Sequence, residues 1–126
     1  MLVAPISEEG KKERDGYLLV GEWVDYQSGK TYPAGWHHIA VGNIEAIILV
    51  HSGSIIPHMQ VAQSTKDLDR SKIELKVYSQ SAQAQGLFCL PSDNALQTLI
   101  AVKKGKEWTS SSAKGKVQFS LIPAFK

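Results

Sequence analysis

Cysteine is almost absent from this 126-residue chain: Cys89 stands alone. An intramolecular disulfide is therefore impossible, and the redox character of the compartment is not legible. An excess of either charge is also lacking, since 14 basic and 12 acidic residues leave a formal net charge of +2. The basic residues cluster only at Lys11–Arg14 and Lys103–Lys106. Without a basic stripe, a nucleic-acid partner is not expected. No apolar run approaches the roughly 20 residues of a membrane-spanning helix. The most apolar stretch, within Ala46–Met59, is interrupted by His51, Ser52 and Gly53, so no membrane partner is expected either. Met1–Ile6 is apolar but has no basic segment before it, which speaks against a signal peptide. Phosphate-cradling glycine patterns are missing. Sustained 3.6-residue periodicity is missing too, which argues against any long helix.

What is present is a series of short β-prone runs separated by turn residues. Leu2–Ile6 is apolar and closes at Ser7–Gly10, and Lys11–Asp15 reads as a charged loop. Tyr17–Val20 and Trp23–Tyr26 are two runs split by Gly21–Glu22. Ser28–Gly29 and Pro33–Gly35 read as turns, and Trp36–Val41 as the next strand. Ala46–Val50 is continuously apolar, as expected of a strand buried on both faces. Gly53 divides it from Ile55–Pro57, and Gln60–Ser71 is a polar connection with room for a short helical turn. Ile73, Leu75 and Val77 alternate with Glu74, Lys76 and Tyr78, the period-2 pattern of a half-buried strand. Leu87–Leu90, Leu96–Val102 and the alternating Val117–Leu121 complete about ten strands. Ser110–Ser112 reads as a polar turn. The expected fold is all-β, an antiparallel β-sandwich, in a single domain over 1–126.

Candidate chemistry is thin. His37 and His38 point to opposite faces of a strand and cannot readily share an ion. His51 and His58 flank the Gly53 break, but no cysteine or carboxylate stands at ligand spacing. No metal site and no cofactor are expected. Cys89, between Phe88 and Leu90, has no local histidine base and reads as a packed thiol. Glycoside hydrolysis needs two carboxylates astride the scissile bond. Glu22, Asp25, Glu45, Asp67, Asp69 and Asp93 are available, yet nothing in their spacing selects a pair. Trp23, Tyr26, Tyr32 and Trp36 fall close together. Aromatic rings in strands pack cores, and they also stack on sugars, so these four are at once core candidates and the candidate carbohydrate surface.

Two stretches resemble glycoside hydrolase family 31, the α-glucosidase and α-xylosidase family. The first is Leu2-Val3-Ala4-Pro5-Ile6, with Glu8, Arg14, Asp15, Tyr17-Leu18, Gly21-Glu22-Trp23-Val24-Asp25-Tyr26, Gly29, Tyr32 and Gly35 in order behind it. It is similar to the segment by which that family leaves its catalytic barrel and opens its proximal C-terminal β-domain. The second is Ile44–Pro57, whose Ser52-Gly53-Ser54-Ile55-Ile56-Pro57 resembles the family's "AGSIIP" turn and strand. Leu75–Tyr78 and Gly86–Leu90 look like a following strand pair. The match is best over 1–78. Residues 79–126 then read as remaining strands or a reduced distal part.

Val20 and Gln27 depart from commoner proline and aromatic residues, and Ala34 from a glycine. Pro91–Asn94 stands where many members carry an acidic turn. The family's catalytic aspartates lie upstream of the first segment, and Met1 precedes that segment directly here, so the resemblance carries over no catalytic residue. It implies a non-catalytic C-terminal β-domain whose partner is the catalytic barrel of a carbohydrate-hydrolysing parent. The alternative is a carbohydrate-binding module that uses Trp23, Tyr26, Tyr32 and Trp36.

Overall fold

The computed structural model describes residues 1–89, 96–110 and 118–125. Ten strands follow one another: β1 (Leu2–Pro5), β2 (Glu13–Asp25), β3 (Thr31–Ala40), β4 (Ala46–His51), β5 (Ser54–His58), β6 (Lys72–Tyr78), β7 (Gln83–Cys89), β8 (Leu96–Lys104), β9 (Glu107–Ser110) and β10 (Gln118–Pro123). There is no helix among the described residues. Strands alone, set in two sheets with alternating buried positions, bear out the all-β sandwich class. The chain divides into two compact units, Met1–Ser52 and Gly53–Lys126.

The first unit is a four-stranded antiparallel sheet in the order β1-β4-β2-β3. Leu18, Trp23, Tyr32, Ile39, Ile47 and Leu49 form its core, with Leu2, Ala4, Ile6 and Val41 packed against them. Each fully buried aliphatic side chain of this kind stabilises the fold by roughly 1.5–3 kcal/mol. Along β4, Ile47 and Leu49 serve this core, while Val50 is equally buried on the opposite face. The apolar run therefore does mark a strand covered on both sides.

Two elements differ from the sequence expectation for one physical reason. Tyr17–Val20 and Trp23–Tyr26 are not separate strands but halves of β2, which starts at Glu13 inside the supposed charged loop. Pro33–Gly35 is not a turn but lies within β3. The register explains both. Leu18 pairs with Gly35 and Glu22 with Pro33, so β2 carries extra residues between the two pairings. Turn-forming residues at this point serve a β-bulge, which bends the hairpin without ending it.

The second unit is a six-stranded sheet in the order β10-β6-β5-β7-β8-β9. Ile55, Ile73, Leu75, Val77, Ala84, Leu99, Ala101 and Trp108 form its core. The alternation read at residues 73–78 is real: Ile73, Leu75 and Val77 are buried. Two pairings here are parallel, β10 with β6 and β5 with β7, in an otherwise antiparallel ladder. Residues 96–102, ambiguous in sequence, are strand β8, and β9 was not legible as a run of its own. Residues 60–71 are a connection of turns and bends. Leu90, Pro91–Asn94 with Asp93, part of the Ser110–Ser112 turn, and Val117 lie outside the described residues.

Candidate functional site

The four candidate aromatic residues separate. Trp23 and Tyr32 are paired across β2 and β3 and belong to the core. The Trp23 indole donates from Nε1 to the Leu19 carbonyl at 3.1 Å, and its ring meets His51 edge-on at 5.2 Å. That bond anchors the bulge from inside. Tyr32 lies under the Lys30 ammonium at 5.0 Å and edge-on to His37 at 5.4 Å. Both rings are buried, each 8% exposed, so packing takes most of the surface that a sugar would stack on. Tyr26 is half-buried beside the β2–β3 turn.

Trp36 alone of the four stands out into solvent, 73% exposed. Its partner was missed in sequence. Tyr17 sits directly opposite on β2, 56% exposed, with ring centroids 5.5 Å apart and planes at 64°. The pair was hidden because recognising it requires the register, and the bulge sets the register. The buried neighbour Leu18 supplied the only sequence signal, since its inward side chain turns Tyr17 outward.

One register step along the same face, Asp15 stands opposite His38. The imidazole is held from both sides: Nδ1 lies 2.5 Å from Asp15 Oδ1 and Nε2 lies 2.8 Å from Glu13 Oε2. The Asp15 hydrogen bond, followed by the Glu13 hydrogen bond and charge, raises the His38 pKa above the ordinary 6.5. A raised folded value means that the protonated clamp stabilises fully below about pH 6.5 and is lost as pH rises through the folded pKa. The melting temperature of His38→Gln is therefore expected to differ from wild type most at pH 5 and to converge with it at high pH. Parallel melting-temperature curves from pH 5 to 9 would contradict this. Because the group is exposed, the effect is small and weakens with salt.

The remaining titratable candidates have structural work. Asp25, 7% exposed, accepts the Gln27 and Ser28 backbone N–H groups at 2.8 and 2.7 Å and so shapes the β2–β3 turn. Gln27 then ties this turn to the next loop, accepting the Ile44 N–H at 2.9 Å. Asp67 accepts the Ser64 hydroxyl, and the Ser71 hydrogen bonds hold the Asp69 carboxyl below its ordinary value. Glu22 and Glu45 are exposed. Glu13 and Asp15 do stand near each other, but His38 takes an oxygen from each, so they do not flank an open scissile position. His37, His51 and His58 each donate a ring N–H to a nearby carbonyl, of Pro33, Ser52 and Ile56. No group of three or more metal-ligating side chains occurs among the described residues. Cys89, expected to be packed, is exposed instead, because it ends β7 on an outward position opposite Leu96.

An open cleft of about 590 Å³ lies where the loop after β1 meets the start of β2. Ser7, Glu8, Lys11, Glu13, Asp15 and His38 are among its lining residues. Glu8 and Lys11 are ion-paired within the loop that lines it, and Arg14 donates to the Pro5 carbonyl at 2.8 Å.

Residues 1–56 match the family described as the glycosyl hydrolase family 31 C-terminal domain. The chain is 32% identical over 73 residues to Alpha-glucosidase 2 of Bacillus thermoamyloliquefaciens, an alignment covering 57% of this chain and 9% of that protein. Among solved structures it is similar to a family 31 dextranase of Flavobacterium johnsoniae, with a TM-score of 0.66 and 20% identity over 86% of this chain and 15% of that one. It is also similar to the cycloalternan-forming enzyme of Listeria monocytogenes, with a TM-score of 0.62 and 24% identity over 82% of this chain and 11% of that one. The structural likenesses bear on the fold. The chain spans less than a tenth of the length of the curated relative it matches.

Proposed function

We propose that this chain, whose residues 1–56 match the family 31 C-terminal domain, is a non-catalytic β-domain that packs against and supports the catalytic barrel of a carbohydrate-hydrolysing parent. The family match carries the reading, since the matched residues span all four strands of the first sheet. On this reading residues 1–78 are the proximal part of one domain, and 79–126 are its remaining strands or a reduced distal part. The bulge supports a docking role. It holds Leu19 and Val20 out in water at 66% and 92% exposure, and successive apolar side chains fixed in solvent suit a protein interface. Gly21, at φ +126°, lies against the His51 ring, and the Trp23 indole anchors the Leu19 carbonyl, so the projection is built into the sheet.

The pure chain is expected to release no product from aryl α-glucosides or α-xylosides, because hydrolysis needs two carboxylates astride the scissile bond and the neighbouring Glu13 and Asp15 are both held by His38. Turnover that one Asp or Glu substitution abolishes would overturn the reading. Carbohydrate binding is a second reading, favoured by one observation: the exposed Tyr17–Trp36 pair.

A further inference from the structure

The outer face of the β2–β3 hairpin combines two features. Tyr17 and Trp36 face each other across the strands, both more than half exposed, at an angle that prevents them from stacking on one another. A planar ring face is thus left to solvent on a rigid, hydrogen-bonded strand pair. The next register pair on that face is Asp15–His38, with Glu13 completing the cluster. Asp15 and His38 also line the polar cleft. An aromatic platform therefore adjoins a row of hydrogen-bonding groups, and the row leads into a groove.

We infer that this face is a binding site for a neutral gluco-type oligosaccharide, with one pyranose ring on Trp36 beside Tyr17 and the next residue's hydroxyls on Asp15 and Glu13. The inference gives the carbohydrate-binding reading above a place and a ligand class. A pyranose with equatorial hydroxyls has a flat face of C–H groups that packs on an indole, and a rim of hydroxyl donors that needs acceptors. Asp15 Oδ1 and Glu13 Oε2 hold the imidazole, which leaves the second oxygen of each carboxylate to accept a hydroxyl. The imidazole fixes both carboxylates before the ligand arrives, so little side-chain entropy is lost on binding. Strands spaced as these are place the aromatic pair and the acidic pair about one sugar residue apart, roughly 6–7 Å for two residues along a strand.

The test is titration calorimetry of the pure chain with maltotriose, isomaltotriose and xylotriose. Saturable binding to at least one of these trisaccharides is expected. Trp36→Ala should weaken that binding about tenfold or more, and Trp36→Phe should retain most of it. The exposed position predicts an unchanged melting midpoint for both variants, so loss of binding cannot be confused with unfolding. Three results would each overturn the inference: no saturable binding to any of the three neutral sugars, equal affinity in Trp36→Ala, or burial of the Trp36 indole by an added family 31 catalytic region. None of the first two bears on whether the chain docks onto such a region, which is read separately by association.

Discussion

Trp23→Ala is expected to lower the folding stability by about 3–5 kcal/mol, the range for removing a large buried aromatic side chain. Trp23 is 8% exposed and sits among Leu18, Tyr32, Ile39, Ile47 and Leu49. The indole also does something a hydrophobic replacement cannot. Its Nε1–H satisfies the Leu19 carbonyl at the bulge, and that group would be left without this donor. Trp23→Phe, which keeps much of the volume but not the donor, should therefore fall between wild type and Trp23→Ala. The check is chemical denaturation of the three proteins by circular dichroism. Equal midpoints for wild type and Trp23→Ala would remove the structural role and return Trp23 to the candidate ligand surface.

The second large effect is expected at Gly53, where Gly53→Val should cost about 1–3 kcal/mol of backbone strain. Gly53 has φ +90°, a conformation β-branched residues rarely adopt. The space around a Cβ there is open, so the penalty comes from the backbone and not from a clash. The chain cannot relax to escape it. Gly53 N–H donates to the Tyr78 carbonyl at 2.7 Å, and its own carbonyl accepts the Gln85 N–H at 2.8 Å. The residue is thus tied to the end of β6 and the start of β7 just as β5 begins. Gly53→Asn, which tolerates positive φ better, should cost less. Thermal melts of Gly53→Val and Gly53→Asn beside wild type decide the matter, and an unshifted melting temperature in Gly53→Val would sink the claim.

These two residues show how far sequence reaches in this chain. Gly53 and the apolar runs around it were legible because a turn needs glycine locally and a buried strand needs unbroken hydrophobicity. The alternation of Ile73, Leu75 and Val77 was legible for the same kind of reason. What failed was anything set by register. The bulge between Leu18 and Glu22 reads in sequence as the end of one strand and the start of another, because Gly21 serves a bulge as well as a turn. Pro33–Gly35 misled in the same way. Once the two halves of the hairpin are joined, Trp36 finds Tyr17 and His38 finds Asp15. A cluster of aromatic residues close in sequence was therefore a poor guide to a surface. Trp23 and Tyr32 went inward, while Tyr17 outside the cluster came forward. The parallel entry of β10 beside β6 joins residues far apart in the chain, and no local pattern encodes that pairing.

Under the proposed function, this chain supports a family 31 catalytic region without performing catalysis. The most direct measurement adds the pure chain to a family 31 catalytic region prepared without its own C-terminal domain, and follows the half-life of glycosidase activity at elevated temperature. A longer half-life that saturates at equimolar chain is expected, with the effect lost in Val20→Asp, whose own melting temperature should match wild type because Val20 is 92% exposed. A half-life unaffected by the chain, or hydrolysis by the chain alone, would contradict it.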